Sequence, residues 1–329
     1  MTRIFENFRA LFLLIFAIIA LAATARDGEL TASNYEYRGG VADGKQHGFG
    51  VCRYTNGNVY SGHWDYGYKE GLGRMVYADG TVEFGTWRRG KYVKPKGMKF
   101  RAGNKCYGID VAKYQKRIDW TKLALAADAR GNVKNRKSKS AKYVQPVLFA
   151  LMKSTEGTTI VDPYFERNFR EAKRCGIIRG AYHFLSVNSP VEEQVEYFIA
   201  NTPLEPGDLP PVLDLEINKN VMARDHAKVV KMAKKWLKAV EKHYGVKPII
   251  YTYNNYYRDY LKGHGFDGYD FWIARYGAEP SATRWEIWQF TDKGRVPGIN
   301  HAVDIDMFRG SYAELLKYMK ENPVRTRED

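Results

Sequence analysis

The chain has 329 residues, and its 52 Lys and Arg against 37 Asp and Glu give a formal net charge of +15. Hydrophobic residues make up 44% of the chain, enough to bury a sizeable core, so a disordered polycation and a low-complexity protein are excluded. The length allows one large α/β barrel with a smaller unit, or two medium domains. The 24 Tyr and 7 Trp exceed the needs of a core and suit stacking on sugar rings or on bases.

The first 25 residues carry the features of a signal peptide. Two arginines precede an apolar run from Ala10 to Ala23, which is short for a membrane span. Small residues before and at Ala25 suit cleavage at that point, so we expect a periplasmic or secreted protein, with an uncleaved anchor as the alternative. In an oxidising compartment the three cysteines permit one disulfide at most, and their spacing does not pair them. They are Cys52, Cys106 and Cys175.

Glycines and aromatic residues recur every 23 residues between Tyr37 and Tyr92. Trp64 and Trp87 repeat in phase with three series of glycines, which indicates internal duplication. Asn-Gly and Asp-Gly pairs close short alternating runs, so each repeat is predicted to be a β-hairpin. The glycine series are Gly39, Gly62 and Gly85, then Gly48 and Gly71, and Gly50 and Gly73.

These hairpins resemble MORN repeats in their Tyr-x-Gly, Gly-x-Gly and Tyr-x-x-Gly segments. We interpret the aromatic residues of 37–92 as packing the hairpins onto one another, because a single hairpin cannot hide its apolar face. The resemblance implies an alternative, in which this face contacts a membrane, the wall or another protein. Residues 93–103, with a Pro, a Gly and several basic residues, are predicted to be a linker to a second domain over 104–320.

From Cys106 onward, short apolar runs alternate with stretches of helical periodicity. Five predicted strands are each followed by a helical stretch, and three more strands follow with only loops between them. The pattern predicts an α/β fold, an irregular TIM-like barrel of five βα units and three further strands. The predicted strands are Tyr107–Val111, Val147–Lys153, Gly180–Leu185, Pro211–Glu216, Pro248–Tyr253, Phe271–Arg275, Glu286–Thr291 and Val303–Phe308. The predicted helical stretches are Trp120–Ala129, Pro163–Cys175, Pro190–Asn201, Ala223–His243 and a short one after Asn254.

Polar residues follow almost every predicted strand, at the end of a barrel where such enzymes work. A single carboxylate there is more often a salt bridge or a loop cap, but the whole set favours an active site. Asp214 and Glu216 lie two apart on one strand, so their side chains share a face with Cα atoms about 6.7 Å apart. Carboxyl groups that close keep one proton between them, and glycosidic cleavage needs such an acid beside ionised neighbours.

The chain resembles glycoside hydrolase family 25 lysozymes over about residues 104 to 310. The resemblance rests on motifs in the family's order: Tyr107-Gly108-Ile109-Asp110-Val111, Lys153-Ser154-Thr155-Glu156-Gly157, Arg179-Gly180-Ala181-Tyr182-His183-Phe184, Leu213-Asp214-Leu215-Glu216, Trp288-Gln289-Phe290 and Val303-Asp304-Ile305-Asp306. It implies hydrolysis of the β-1,4 link between N-acetylmuramic acid and N-acetylglucosamine in peptidoglycan.

By this resemblance Glu216 is the general acid, Asp214 its orienting or stabilising neighbour, and Asp110 and Asp304 complete the acidic shell. Substrate contacts are expected from six side chains, with a loop-ordering role as the alternative for Glu156 and core packing as the alternative for Trp272. These six are Glu156, Tyr182, His183, Tyr253, Trp272 and Gln289.

Two segments depart from the family pattern. Lys116 stands where the family usually has a glycine, so we expect the backbone of the loop after Asp110 to differ from the family's. Residues 130–142 carry six basic residues and no acidic one, and we interpret them as a solvated loop, with attraction to an anionic wall as the alternative.

The alternatives for the whole chain are a chitinase-like glycosidase, and an inactive wall-binding or scaffold protein. The intact carboxylates argue against an inactive protein. The expected partner is peptidoglycan and not nucleic acid, and no motif implies a metal or another cofactor.

Overall fold

The computed structural model describes residues 26–79, 81–93, 99–100, 105–282 and 284–325. The predicted signal peptide, 1–25, and most of the predicted linker, 93–103, lie outside these residues. The described chain has a mixed α/β fold in which a seven-stranded antiparallel sheet precedes a closed barrel, as the sequence predicted. Within the described residues, none of the helices is both long and apolar enough to cross a membrane.

The N-terminal sheet is built from the predicted repeats. Its seven strands follow one another as antiparallel neighbours. They are β1 (Arg26–Ala32), β2 (Tyr35–Ala42), β3 (Lys45–Tyr54), β4 (Val59–Asp65), β5 (Tyr68–Val76), β6 (Val82–Arg88) and β7 (Lys91–Val93).

The packing of tyrosine rings over glycines explains why the glycines of this sheet recur. The ring of Tyr37 lies directly over Gly50, where a Cβ would overlap it, and the ring of Tyr60 lies over Gly73 in the same way. Each ring then meets an indole edge: Tyr37 packs on Trp64 at a centroid distance of 5.5 Å and an interplanar angle of 82°. The repeated aromatic residues therefore pack the hairpins onto one another.

Eight strands form the barrel, seven of them parallel to one another, and the sheet closes because β9 pairs with both β12 and β19. They are β9 (Cys106–Val111), β12 (Phe149–Glu156), β14 (Ile178–Phe184), β15 (Val212–Asp214), β16 (Ile249–Tyr253), β17 (Phe271–Ala274), β18 (Trp285–Gly294) and β19 (Val303–Phe308). A short β13 (Ile160–Val161) returns beside β12, and a small outer sheet contains β8 (Lys99–Phe100), β10 (Ala124–Ala127) and β11 (Tyr143–Pro146).

Helices cover the barrel from outside, and a long one, α3, follows the strand that carries Asp214. The helices are α1 (Phe165–Arg174), α2 (Val191–Asn201), α3 (Lys219–Tyr244), α4 (Asn254–Tyr256, continued by a π turn over Tyr257–Leu261) and α5 (Tyr312–Glu321). They bury their apolar stripes against the strands, as Phe198, Trp236 and Leu237 do.

The predicted first helix, Trp120–Ala129, is wrong. The segment makes one 3₁₀ turn, Trp120–Lys122, and then becomes β10, which pairs antiparallel with β11. Leu123, Leu125, Ala126 and Ala127 are buried, and Ala124 is half-buried. Strand pairing across about twenty residues overrides the helical preference of the alanines here.

The N-terminal sheet covers the end of the barrel at which the parallel strands begin. Arg74 of β5 donates to the carbonyls of Val147 and Gly176, which lie just before β12 and β14. Val76 and Val82 join the apolar cluster inside the barrel. The cysteines are buried and unpaired. The repeats thus plug one end of the barrel and leave the other end open.

Candidate active site

Three carboxylates lie together on two antiparallel strands at the open end of the barrel. Asp110 of β9 stands opposite Asp304 of β19 in the strand register, and Asp306 follows one step deeper. The Asp110 carboxyl contacts both of the others at hydrogen-bond range. Asp306 is completely buried and Asp110 nearly so, whereas Asp304 is half-buried. This group forms one wall of an acidic cleft.

An amide and two phenols hold Asp110 in place. Gln289 of β18 donates from Nε2 to Asp110 Oδ2 at 2.8 Å. The Oε1 atom of the same amide accepts hydrogen bonds from Tyr251 at 3.2 Å and from Tyr276 at 3.0 Å. Gln289, a predicted substrate contact, is 2% exposed. It is therefore a buried bridge between Asp110 and the two tyrosines rather than an open sugar-binding group.

The second acidic pair comes from β15. The strand ends at Asp214, two residues earlier than predicted, because Leu215 and Glu216 continue as a loop. The loop stays in place since the Leu215 N–H donates to Tyr251 O at 2.9 Å and Leu215 O accepts from Thr252 Oγ1 at 2.8 Å. The carboxyl groups of Asp214 and Glu216 contact each other, and Glu216 also accepts a hydrogen bond from Tyr253.

A cation lies beside this pair. Lys153 of β12 forms an ion pair with Glu156, with Nζ 2.6 Å from Oε2. Its positive charge lowers the pKa of Asp214 and of Glu216, and Glu156 opposes that effect on Asp214. Glu156 therefore lies at the cleft in contact with Lys153, where it sets the position of the ammonium group.

Two aromatic side chains form the floor between the acidic groups. Tyr182 is buried, and its pKa is raised by burial and by the charges of Asp110 and Asp214. Its ring packs edge-on against Trp272 at 5.9 Å. The Trp272 indole donates to Asp306 Oδ1 at 2.8 Å and is 1% exposed. Trp272 thus supports the carboxylates from below, whereas Tyr253, 45% exposed, and Tyr276, 47% exposed, are aromatic groups open to a ligand.

His183 is the one predicted site residue that the structure places away from the cleft. On β14 His183 lies between Tyr182 and Phe184, and successive side chains of a strand point to opposite faces of the sheet. Tyr182 faces the cleft, so His183 faces the opposite side. There it stacks on Trp236 of α3 at 5.5 Å and bonds to Thr155 and Gln194. Burial lowers its pKa to about 4, so it is a neutral core residue.

Burial and mutual repulsion keep protons in this cleft. The pKa values of Asp110, Asp306 and Asp214 are raised well above the ordinary range, first by burial and then by neighbouring carboxylates. Burial also raises the pKa of Glu216, and that of Asp304 to about 6. Among the described residues no N–H or hydroxyl group donates to the buried Asp214 Oδ1. The raised pKa values of Asp214 and Glu216 favour a proton shared by this pair, as a general acid requires.

Sequence reasoning assigned no role to four members of the site: Asp306, Lys153, Tyr251 and Tyr276. Asp306 was detectable, because it shares a strand face with Asp304 just as Glu216 was expected to share one with Asp214. Lys153 and Tyr251 lie shortly before Glu156 and Tyr253, which the sequence did predict at strand ends. Nothing in the sequence indicates that Tyr276, in the loop after β17, turns back to Gln289. In the part of the chain that the structure describes, no cluster of His, Cys, Asp and Glu is arranged to hold a metal ion.

The cleft has the ingredients of a glycoside-cleaving site, and comparison with known proteins agrees. The profile described as Glycosyl hydrolases family 25 matches residues 109–299, and the MORN repeat profile matches 37–59 and 60–82. The uncharacterized protein YegX of Escherichia coli strain K12 is 35% identical over 237 residues, covering 70% of this chain and 80% of that protein. Lysozyme M1 of Streptomyces globisporus is 31% identical over 224 residues, covering 64% of this chain and 69% of that protein.

A solved structure gives the same assignment. The bacterial lysozyme from Streptomyces coelicolor superposes with a TM-score of 0.54 at 30% identity, covering 65% of this chain and 96% of that one. The family profile alone spans more than half of the chain. The chain belongs to glycoside hydrolase family 25, and it carries MORN repeats in front of the catalytic barrel.

Proposed function

We propose that this protein hydrolyses peptidoglycan at the β-1,4 link between N-acetylmuramic acid and N-acetylglucosamine. The observation that carries the proposal is the contact between Asp214, which is buried, and Glu216, which opens to the cleft. The names of the relatives, lysozymes among them, support a peptidoglycan substrate. Cleavage of a glycosidic bond needs a proton for the leaving oxygen, and the raised pKa values of this pair favour its keeping one.

In the proposed reaction Glu216 is the group that gives the proton. A proton on Asp214 passes to Glu216 through their direct contact as Glu216 donates to the leaving oxygen. Tyr253 holds the Glu216 carboxyl in position. On the facing wall Asp304, which is hydrogen-bonded to Asp110 and has a pKa of about 6, supplies negative potential that stabilises the oxocarbenium-like centre.

We further propose that the reaction retains the anomeric configuration with assistance from the substrate's own 2-acetamido group. Asp214 and Glu216 contact each other, so they do not lie on opposite sides of one bond as a nucleophile and an acid would. Proton NMR of the first product from a defined oligosaccharide tests this. A first-formed β anomer is expected, and a first-formed α anomer contradicts retention.

The substrate is tested with purified peptidoglycan and chitin in parallel. New reducing ends are expected from peptidoglycan, with far fewer from chitin. Release only from chitin would favour the chitinase-like alternative, and no release from either polymer would favour the inactive scaffold.

We also propose export of the protein to the periplasm or the medium. The proposal rests on the apolar run and small residues of positions 1–25. N-terminal sequencing of the exported protein tests it, with Arg26 as the expected first residue. Retention of Met1 on a membrane-bound product would indicate an uncleaved anchor.

A further inference from the structure

A second charged surface lies on the outer wall of the barrel, on helix α3. The helix kinks at Asp225, where φ is −123° and ψ is 24°, and ends at Gly245, which has a left-handed φ of 64°. In the straight part between Lys228 and Lys242 every exposed residue is a lysine. We call this set the lysine row: Lys228, Lys231, Lys235, Lys238 and Lys242.

The lysine row runs straight along the helix. Its members are spaced by three and four residues, so they share one face and span about 21 Å of helix length. The opposite face is buried in the core through Val229, Ala233, Trp236 and Val240. The row therefore points directly away from the protein.

This arrangement works against the stability of the helix. Like charges three or four residues apart repel, whereas exposed helix faces that serve only structure usually alternate Glu with Lys. The acidic residues of α3 are Asp225, which precedes the row, and Glu241, which is half-buried beside Lys238 and accepts a hydrogen bond from Tyr269. A stabilising role does not explain five lysines in succession.

Four of the five charges are left for a ligand. Lys235 pairs with Glu192 of the neighbouring helix α2. Among the described residues, Lys228, Lys231, Lys238 and Lys242 have no carboxylate within ion-pair distance. The row is thus a line of ammonium groups that solvent alone neutralises.

The kinds of residue found beside the lysine row indicate which class of partner it binds. Helices that bind a bilayer surface set large apolar side chains beside their lysines, and none of the large exposed apolar residues of the described chain lies on α3. Surfaces that bind nucleic acid add stacking aromatic rings or arginines, which the row also lacks. Repeated charge in a line, without apolar or stacking groups, fits a linear polymer with repeated negative charge.

We propose that the lysine row binds a linear anionic polysaccharide, one with carboxylate or phosphate groups repeated along its chain. The polymer lies along α3 and exchanges its counterions for the four free ammonium groups. This site lies on the outer wall of the barrel and makes no use of the acidic cleft. It holds the enzyme on an acidic matrix and does not depend on the proposed hydrolysis.

The probe is polygalacturonate, a linear carboxylate polymer unrelated to the proposed substrate, with neutral dextran as the blank. The row variant K228Q/K231Q/K238Q/K242Q is compared with a matched variant of the exposed loop, R136Q/K137Q/K139Q/K142Q, which removes the same number of charges. In low salt we expect the row variant to bind polygalacturonate at least tenfold more weakly, with a shallower dependence on salt, and the loop variant to lose less than threefold. The melting temperature of the row variant should not fall, since repulsion is relieved.

Three outcomes would overturn the proposal. Equal losses in the two variants would show that net charge, and not the row, drives binding. A larger loss in the loop variant would assign binding to residues 130–142. Binding of the parent protein to phosphatidylglycerol vesicles, but not to polygalacturonate, would assign the row to a membrane. Inactivity of the parent on peptidoglycan would refute the proposed function and leave this test unaffected.

Discussion

Asp214 and Glu216 contact each other through their carboxyl groups, yet Asp214 is 4% exposed and Glu216 opens to the cleft. Burial raises the pKa of both groups, the charge of Glu216 raises the pKa of Asp214 further, and a hydrogen bond from Asp214 lowers the pKa of Glu216. The two therefore act as a unit that holds a proton and presents it at one place. A Tyr, a Lys and a second group of carboxylates tune that unit, and each can be tested separately.

Tyr253→Phe should shift the pH dependence of the reaction. The Tyr253 hydroxyl donates to the ionised Glu216 and so lowers the pKa of Glu216. Without that hydroxyl the pKa of Glu216 rises, and the proton donor persists to higher pH. We expect the basic limb of kcat/KM to move up by about one pH unit. Tyr66→Phe, in the repeats, is the control, and an unmoved basic limb in Tyr253→Phe would remove this role from the hydroxyl.

Asp304→Asn should stabilise the protein above about pH 4, with the full gain reached above about pH 6. The folded protein raises the pKa of Asp304 to about 6, against about 3.9 in an unfolded chain. The unfolded state loses its proton first, so this group's contribution to stability is full below about pH 4 and is lost as pH rises through 6. Asparagine removes the ionisation, and the expected gain at pH 7.5 is about 1 to 2 kcal/mol after allowance for partial exposure.

Urea unfolding of both proteins at pH 4.0 and 7.5 tests this sign. The two should agree at pH 4.0 and diverge at pH 7.5. A stabilisation of the same size at both pH values would mean that the charge of Asp304 is not its cause.

Lys116→Gly should stabilise the loop after β9. Lys116 has a φ of 56° and a ψ of −138°, in a region that favours glycine. The sequence departs from the family pattern at this position, and the structure keeps the glycine-like backbone. We expect a gain of about 1 kcal/mol for glycine and none for Lys116→Ala, which keeps the Cβ. Equal urea midpoints for the two variants would show that the backbone here is unstrained.

Val76→Ala should destabilise the whole chain, although Val76 belongs to the repeats. Its side chain belongs to the same buried apolar cluster as Phe149 and Leu151 of β12. Loss of two buried methyl groups costs about 1 to 3 kcal/mol. Val93→Ala, at an exposed position of β7, should cost little. One unfolding transition with a lower midpoint is expected, and a separate transition for the repeats alone would mean that they do not support the barrel.

The sequence predicted the repeats, the barrel and the acidic cleft because each corresponds to a regular spacing of residue types along the chain. The glycine spacing arises because an aromatic ring packs over the glycine of each repeat. Polar residues at the ends of successive parallel strands lie together on one rim of a barrel. Asp110, Asp214, Glu216 and Asp304 are brought together at that rim as the βα pattern implied.

Side-chain direction and distant pairing were harder to predict. His183 follows Tyr182 in a family motif, but alternation along β14 turns one inward and the other toward α3. The apolar residues after Trp120 have helical spacing, but the segment forms a strand because it pairs with β11, about twenty residues further along the chain. Tyr276 reaches Gln289 from a loop, a contact that no local pattern records.

The central claim is that Glu216 delivers the proton for cleavage on the N-acetylmuramic acid side of the glycan. Purified peptidoglycan is digested with the full chain, with Glu216→Gln and with Glu166→Gln, an exposed control on α1, and the new reducing ends are reduced with borohydride and identified. We expect muramitol from the parent and from Glu166→Gln, and a rate lower by about 10² to 10⁴ for Glu216→Gln. Glucosaminitol as the new end, or unchanged turnover in Glu216→Gln with the fold intact, would contradict the account.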